Sequence, residues 1–268
     1  MKRYPVILSI AGSDSSGGAG IQADIKTISA LGGYAASAIT AVTVQNTMGI
    51  RAIYSVPPEI VRGQIEAIMG DLQPEAIKIG MIDDMLIVRI IVDCLRKYKP
   101  KFIVYDPVMV STSGRKLISR EAIHEIKKSL FPLTTLITPN LDEASVLLEK
   151  PITTIYEMQL AAQELAETFH TSVLVKGGHL AGNEKCDVLY TEGNTYLYKE
   201  QKIESRNLHG TGCTLSSSIV TFLAKGCTLN EAVQRAKYYI TLAITAGKDL
   251  TIGQGNGPLR HIPLMEEQ

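Results

Sequence analysis

The chain has 268 residues, 45% of them hydrophobic, which is enough for a sizeable core. Lys plus Arg and Asp plus Glu number 27 each, so the formal net charge is zero; a dedicated nucleic-acid or acidic-membrane surface, which calls for a basic excess, is disfavoured. The four cysteines, Cys94, Cys186, Cys213 and Cys227, match no CxxC metal or redox spacing, and no apolar run approaches the ~20 residues of a membrane span. The opening "MKRYPVILSIAG" reads as a strand running into a glycine loop rather than as a signal peptide, so a reducing cytoplasm is the expected setting.

Taken in chain order, short apolar runs recur at "PVILSIAG" (5–12), "SAITAVTV" (37–44), "AIKIGMI" (76–82), "KFIVYDPV" (101–108), "TLITPN" (135–140) and "SVLVKGG" (172–178). They are nearly continuous rather than alternating, as in parallel strands buried on both faces. Helical patterns lie between most of them. In "IQADIKTISALGG", Ile21, Ile25, Ile28 and Leu31 form one stripe that Gly32–Gly33 ends. "PPEIVRGQIEAIMGDL", "MLIVRIIVDCLRKY", "EAIHEIKKSLF" and "YEMQLAAQELAETF" continue the alternation. "CDVLYTEGNTYLYKEQKI" (186–203) breaks it and reads as a β-hairpin around "EGN". Helices at 211–225 and about 229–247 follow. The pattern predicts an α/β fold, a central mainly parallel sheet flanked by helices on both faces, in a single domain over 1–268.

In such folds ligands sit beyond the carboxyl ends of the strands. Those ends read "GSDSSGGAG", "QNT", "GMID", "DPVM", "TPNLDEA" and "KGGH". The first is a strand–glycine loop–helix junction that can present N–H groups to an anion, but it carries no Walker A lysine. Asp24, early in the following helix, reads from the residues alone as a surface carboxylate favoured by the helix dipole.

"HGTGCT" is denser. Gly210 and Gly212 let the backbone fold around a ligand, and the N–H groups of Gly210 to Cys213 with a helix dipole suit developing negative charge. Thr211 and Thr214 can add hydroxyls. The same dipole is expected to lower the Cys213 thiol from its usual value of about 8.5, making it a candidate base or nucleophile, against the plainer reading of a small buried residue. Cys94, Cys186 and Cys227 lack such a loop and read as buried structural thiols.

Asp106 and Glu143 are the candidates for divalent-metal work. Asn140 and Glu143 also have the spacing of a helix capping box. Lys176 ends a strand, where either a phosphate or a salt bridge would satisfy it. The histidines, His124, His170, His179, His209 and His261, show no metal-ligand spacing, and there is no G-x-S-x-G elbow. The inventory is that of a phosphate-handling α/β enzyme.

Together "AGSDSSGGAGIQADIKT", "TAVTVQNT", "KIGM", "DPVM", "TPNLDEA", "VKGGH" and "HGTGCTLSS" resemble the hydroxymethylpyrimidine/phosphomethylpyrimidine kinases of thiamine biosynthesis, of the ribokinase-like superfamily. The resemblance runs from about residue 5 to residue 262. It implies an ATP-dependent kinase that phosphorylates 4-amino-5-hydroxymethyl-2-methylpyrimidine and then its monophosphate. Gln45 would read the ring, with Asp24 and the Gly12 backbone bonding it and Met81 and Val108 in apolar contact. Asn140, Lys176 and Thr211 would hold ATP, Asp106 and Glu143 the Mg²⁺, and Gly210–Cys213 the anion, with Cys213 as base. The resemblance leaves a monovalent cation open and makes a homodimer the expected assembly. Two departures stand out: Asp142 where the family pattern has proline, and Gln254 and Asn256 where it has histidines. A pyridoxal or pyridoxine kinase of the same superfamily is the alternative, and a catalytically silent pyrimidine-binding protein is the third reading.

Overall fold

A computed structural model of the chain describes residues 4–109, 118–178, 180 and 182–263; His179 falls outside them. The elements run β1 (Val6–Asp14), α1 (Gly20–Ala30), β2 (Tyr34–Asn46), β3 (Gly49–Ser55), α2 (Pro58–Asp71), β4 (Ala76–Ile79), α3 (Met85–Tyr98), β5 (Phe102–Tyr105) and α4 (Arg120–Glu125). After two further helical turns come β6 (Leu136–Ile137), α5 (Leu141–Leu148), α6 (Ile155–Phe169), β7 (Ser172–Val175), β8 (Glu184–Thr191), β9 (Asn194–Gln201), α7 (Thr211–Ala224) and α8 (Leu229–Gly247).

The strands form one sheet in the order β3-β2-β1-β4-β5-β6-β7-β8-β9. Along that order the pairs from β2 to β7 are parallel, while β2/β3, β7/β8 and β8/β9 are antiparallel. The expected α/β architecture and hairpin are therefore present. Strand β3 was not expected. Most of its residues are half or fully exposed, so it offers no buried apolar run to read.

Side chains that alternate along each strand go to opposite faces. Leu8, Ile10, Ile77, Ile79, Ile103, Ile137 and Val173 pack with α2, α3 and α6. Ile7, Ala76, Val104, Leu136 and Leu174 pack with α1, α7 and α8. Both faces of the central strands are thus covered, which is why their sequences read as continuous apolar runs. β2 departs from that expectation: its burial alternates.

In α1 the buried face is Ile21, Ala23, Asp24, Thr27 and Ile28, whereas Ile25 is exposed. The expected stripe is rotated because a carboxylate, Asp24, belongs to the inward face. In α7, Ser216, Ser218 and Thr221 turn their hydroxyls back onto carbonyls three or four residues earlier. These short side chains need no outside partner and allow the helix to lie close on the sheet.

Candidate active site

The strand ends from β1 to β7 open onto one cavity of about 220 Å³. Three clusters build its walls.

The first is acidic and stands at the ends of β5, β6 and β7. Asp106 Oδ1 accepts from Thr138 Oγ1 at 3.0 Å and from Lys176 Nζ at 2.6 Å. Lys176 therefore makes a salt bridge and lines the cavity at the same time. Asn140 and Glu143 form the capping box of α5: Asn140 Oδ1 accepts from Glu143 N at 2.9 Å, and Glu143 Oε2 accepts from Asn140 N at 2.8 Å. Burial and the Asp106 charge push the Glu143 carboxyl up to about 7, against the pull of Lys176. Two buried carboxylates thus share one ammonium. That donor set would suit a divalent cation such as Mg²⁺, which keeps several waters and asks for few protein ligands.

The second cluster is the mouth of α7. Gly210 has φ +88°, and a Cβ there would come within 1.8 Å of Gly18 O, so only glycine lets the two glycine loops touch. α7 begins without a side-chain cap; the Thr211 N–H donates to Leu208 O at 3.2 Å, and Gly212 and Cys213, in the same first turn, line the cavity. Gly212 stands over the ion pair, where a Cβ would lie 3.1 Å from Asp106 Oδ2 and 3.4 Å from Lys176 Nζ. Gly210, Gly212 and Cys213 line the cavity, but Thr211 does not; its hydroxyl donates to Leu208 O at 2.6 Å. Thr214 is fully buried, so its hydroxyl does not reach the cavity either.

Cys213 is half-buried as a residue and lines the cavity. Burial pushes its thiol up to about 11; the Lys78 ammonium draws it down, while Asp24 and Asp106 raise it. The expectation of a lowered thiol is not met, because burial and the neighbouring Asp24 and Asp106 carboxylates raise it by more than Lys78 and the Gly20 N–H lower it. Cys94 and Cys186 are buried as expected, and Cys227 is half-buried.

Beneath the cavity, Asp24 is fully buried. It accepts from Ser9 Oγ at 2.5 Å, Lys78 Nζ at 2.9 Å and Ser217 Oγ at 2.7 Å. The reading of Asp24 as a surface carboxylate is corrected, and Asp24 does not line the cavity; its partner Lys78 does. Burial alone would discharge that lysine, but the charges of Asp24, Cys213 and Asp106 hold it protonated well beyond its usual range. Sequence reasoning missed Lys78, though a lysine inside the buried run "AIKI" is itself a signal, because a buried ammonium requires a partner.

The third cluster surrounds Gln45. Its amide lies 3.2 Å from His209 Nε2 and 3.2 Å from Thr43 Oγ1. His209 Nε2 is 2.8 Å from Asp14 Oδ2. Gly12, Met81 and Val108 complete this end. Asn256 closes the rim, its N–H donating to Thr47 O at 2.9 Å. Gln254 is exposed and lies off the cavity wall, and Asp142 is exposed. Asp14 and His209 carry no local signal in the sequence; only the fold brings residues 195 positions apart together.

Residues 14–260 match the phosphomethylpyrimidine kinase family. The chain belongs to that family. It is 48% identical over 257 residues to a hydroxymethylpyrimidine/phosphomethylpyrimidine kinase of Rhizobium meliloti, covering 96% of each chain. Among solved structures it resembles the phosphomethylpyrimidine kinase of Clostridium difficile, with TM-score 0.80 and 44% identity over 90% of this chain and 99% of that one. It also resembles an ADP complex of Bacillus subtilis pyridoxal kinase, with TM-score 0.90 and 32% identity over 98% and 99%. As a phosphomethylpyrimidine kinase family member the chain is a phosphotransferase with the ribokinase-like fold. No helix among the described residues is long and apolar enough to cross a membrane.

Proposed function

We propose that this kinase uses ATP to phosphorylate 4-amino-5-hydroxymethyl-2-methylpyrimidine and then its monophosphate, yielding the diphosphate for thiamine biosynthesis. The observation that carries the reading is the continuity of residues 209–213 across the cavity. His209 reaches Gln45 at one end, and Gly212 stands over Asp106 and Lys176 at the other. A ring held by Gln45, Gly12, Met81 and Val108 would therefore present its hydroxymethyl group toward Cys213 and the mouth of α7.

Phosphoryl transfer needs positioning and charge neutralisation more than covalent help. The N–H groups of Gly210, Gly212 and Cys213, which line the cavity, would meet the transferring group, while that of Thr211 is taken by Leu208 O; Lys176 and Asn140 would lie along the ATP phosphates. Asp106 and Glu143 would hold Mg²⁺, which when bound supplies positive charge to the phosphate oxygens. In the first step the substrate hydroxyl oxygen bonds to the γ-phosphorus, the bond from that phosphorus to the β-bridging oxygen breaks with ADP leaving, and the hydroxyl proton passes to the sulfur of Cys213 in its thiolate form, the fraction of which grows toward the thiol's raised value of about 11. Asp24 acts from below, by fixing Lys78. A single domain, a homodimer and a cytoplasmic setting belong to the same proposal.

The pyridoxal kinase alternative draws support from the fold similarity, whereas the higher identity to a phosphomethylpyrimidine kinase favours the pyrimidine. ADP release should be measured with the hydroxymethylpyrimidine, its monophosphate and pyridoxal, and the products identified. Turnover of both pyrimidines with diphosphate accumulating is expected; turnover of pyridoxal alone would overturn the reading.

A further inference from the structure

Asp14, His209, Gln45 and Thr43 form a chain of polar groups along one wall of the cavity. Asp14 accepts from Ser16 N, Ser16 Oγ, Gly18 N and Ala19 N at 2.7–3.1 Å. Four donors converge on this carboxylate, which leaves it an acceptor. His209 Nε2, 2.8 Å from Asp14 Oδ2, must then carry the ring proton.

That proton constrains the neighbouring amide. Gln45 Nε2 faces His209 Nε2 at 3.2 Å, which would set donor against donor. A second misfit lies at the other end of the amide. Thr43 Oγ1 has one hydrogen, yet both Ser13 O at 3.0 Å and Gln45 Oε1 at 3.2 Å ask for it. Turning the Gln45 amide over removes the donor–donor clash at His209 and frees the Thr43 hydrogen for Ser13 O. Oε1 then shares the His209 Nε2–H with Asp14 Oδ2 in a three-centre bond, as the longer arm at 3.2 Å against 2.8 Å, and Nε2 donates to Thr43 Oγ1, whose own hydrogen goes to Ser13 O. The two ends of an amide are alike in shape, so the surrounding hydrogen bonds fix which is which.

We infer that Asp14 and His209 are positioning residues that lock the Gln45 amide in one orientation, with its oxygen toward His209, and so decide which hydrogen-bonding edge of a ring the cavity accepts. This rests on the reading of Gln45 as the ring-binding side chain. One oxygen lone pair and one N–H remain for substrate. An amide locked this way takes the edge of a 4-aminopyrimidine and opposes the 4-oxo analogue, whose donor and acceptor positions are exchanged.

The test compares kcat/KM for the 4-amino substrate and its 4-oxo analogue in the wild type, His209→Phe and Gln45→Leu. Wild type should prefer the amino compound. His209→Phe frees the amide, so the preference should fall by about tenfold, the size of one hydrogen bond, with KM rising more than kcat falls. A general structural defect would lower both substrates alike and leave the ratio unchanged, overturning the inference. If Gln45→Leu leaves kcat/KM for the amino compound unchanged, the ring-reading role itself fails. If Gln45→Leu is impaired but His209→Phe keeps full discrimination, only the lock fails. Should His209→Phe not fold, long-range ¹H–¹⁵N correlation of the wild-type imidazole decides: a proton on Nε2 supports the lock, and a bare Nε2 sinks it.

Discussion

Lys78 Nζ and Asp24 Oδ2 lie 2.9 Å apart with both side chains fully buried beneath the cavity. Two charges removed from water hold each other in place, and removing either leaves the other uncompensated. Lys78→Met and Asp24→Asn should each cost about 3–5 kcal/mol of stability, whereas the double variant should recover much of the loss. Urea denaturation at fixed pH measures all three. Losses under about 1 kcal/mol for both single variants would show that the serines around Asp24, rather than the ion pair, organise the floor.

The strand ends were legible because Asp106, Asn140, Lys176 and Gln45 each directly follow an apolar run, where a polar residue has few structural reasons to be. The floor was not legible in the same way. Asp24 looked like a dipole-favoured surface group because its helix pattern admits two faces, and only the partner Lys78 decides between them. The Cys213 thiol was misjudged because a helix end is visible in sequence and burial is not. The pairing of Asp14 with His209 depends on chain crossing over the whole domain, which no local spacing encodes.

Two glycines of the α7 mouth should respond differently to alanine. At residue 210 the backbone has φ +88° and the new Cβ would strike Gly18 O. Gly210→Ala should therefore lose more than about 2 kcal/mol of stability, combining left-handed strain with displacement of a loop. Gly212 is helical, where alanine is intrinsically favoured by up to about 1 kcal/mol. Its Cβ would crowd Asp106 Oδ2 and Lys176 Nζ, so Gly212→Ala should fold normally but lose at least about tenfold in kcat. Thermal unfolding and steady-state kinetics separate the two; equal melting temperatures would refute the assignment of Gly210 as the loop contact.

Glu143 gives the stability a pH dependence of defined sign. Its carboxyl titrates at 4.5 in the unfolded reference and about 7 when folded. Between those values the folded chain keeps a proton that the unfolded chain has released, so stability falls as pH rises from 4.5 to 7 and this contribution levels off above. Gln at this position keeps the capping box and cannot ionise. In metal-free buffer, Glu143→Gln should therefore gain stability relative to wild type at pH 8 compared with pH 5, by denaturant titration at the two pH values. A constant difference would mean that Lys176 fully neutralises the carboxylate.

Cys213 should matter unequally to the two phosphorylations. In the first, the nucleophile is a neutral hydroxyl whose proton must leave. In the second, it is a phosphate oxygen, already largely ionised at neutral pH because its second pKa is about 6. Cys213→Ala should thus lose most of kcat on the hydroxymethylpyrimidine, by about 10²-fold or more, and much less on the monophosphate. Cys213→Asp should behave in the opposite sense: it supplies a base but sets a fixed carboxylate beside an anionic substrate. Since burial holds the thiol at about 11, wild-type kcat for the first step should also rise with pH through the alkaline range, while Cys213→Asp flattens that rise. Product analysis in single-turnover experiments with each pyrimidine resolves the two steps. Equal losses for both substrates in Cys213→Ala would return the thiol to a packing role, and near-normal turnover would remove it from the chemistry altogether.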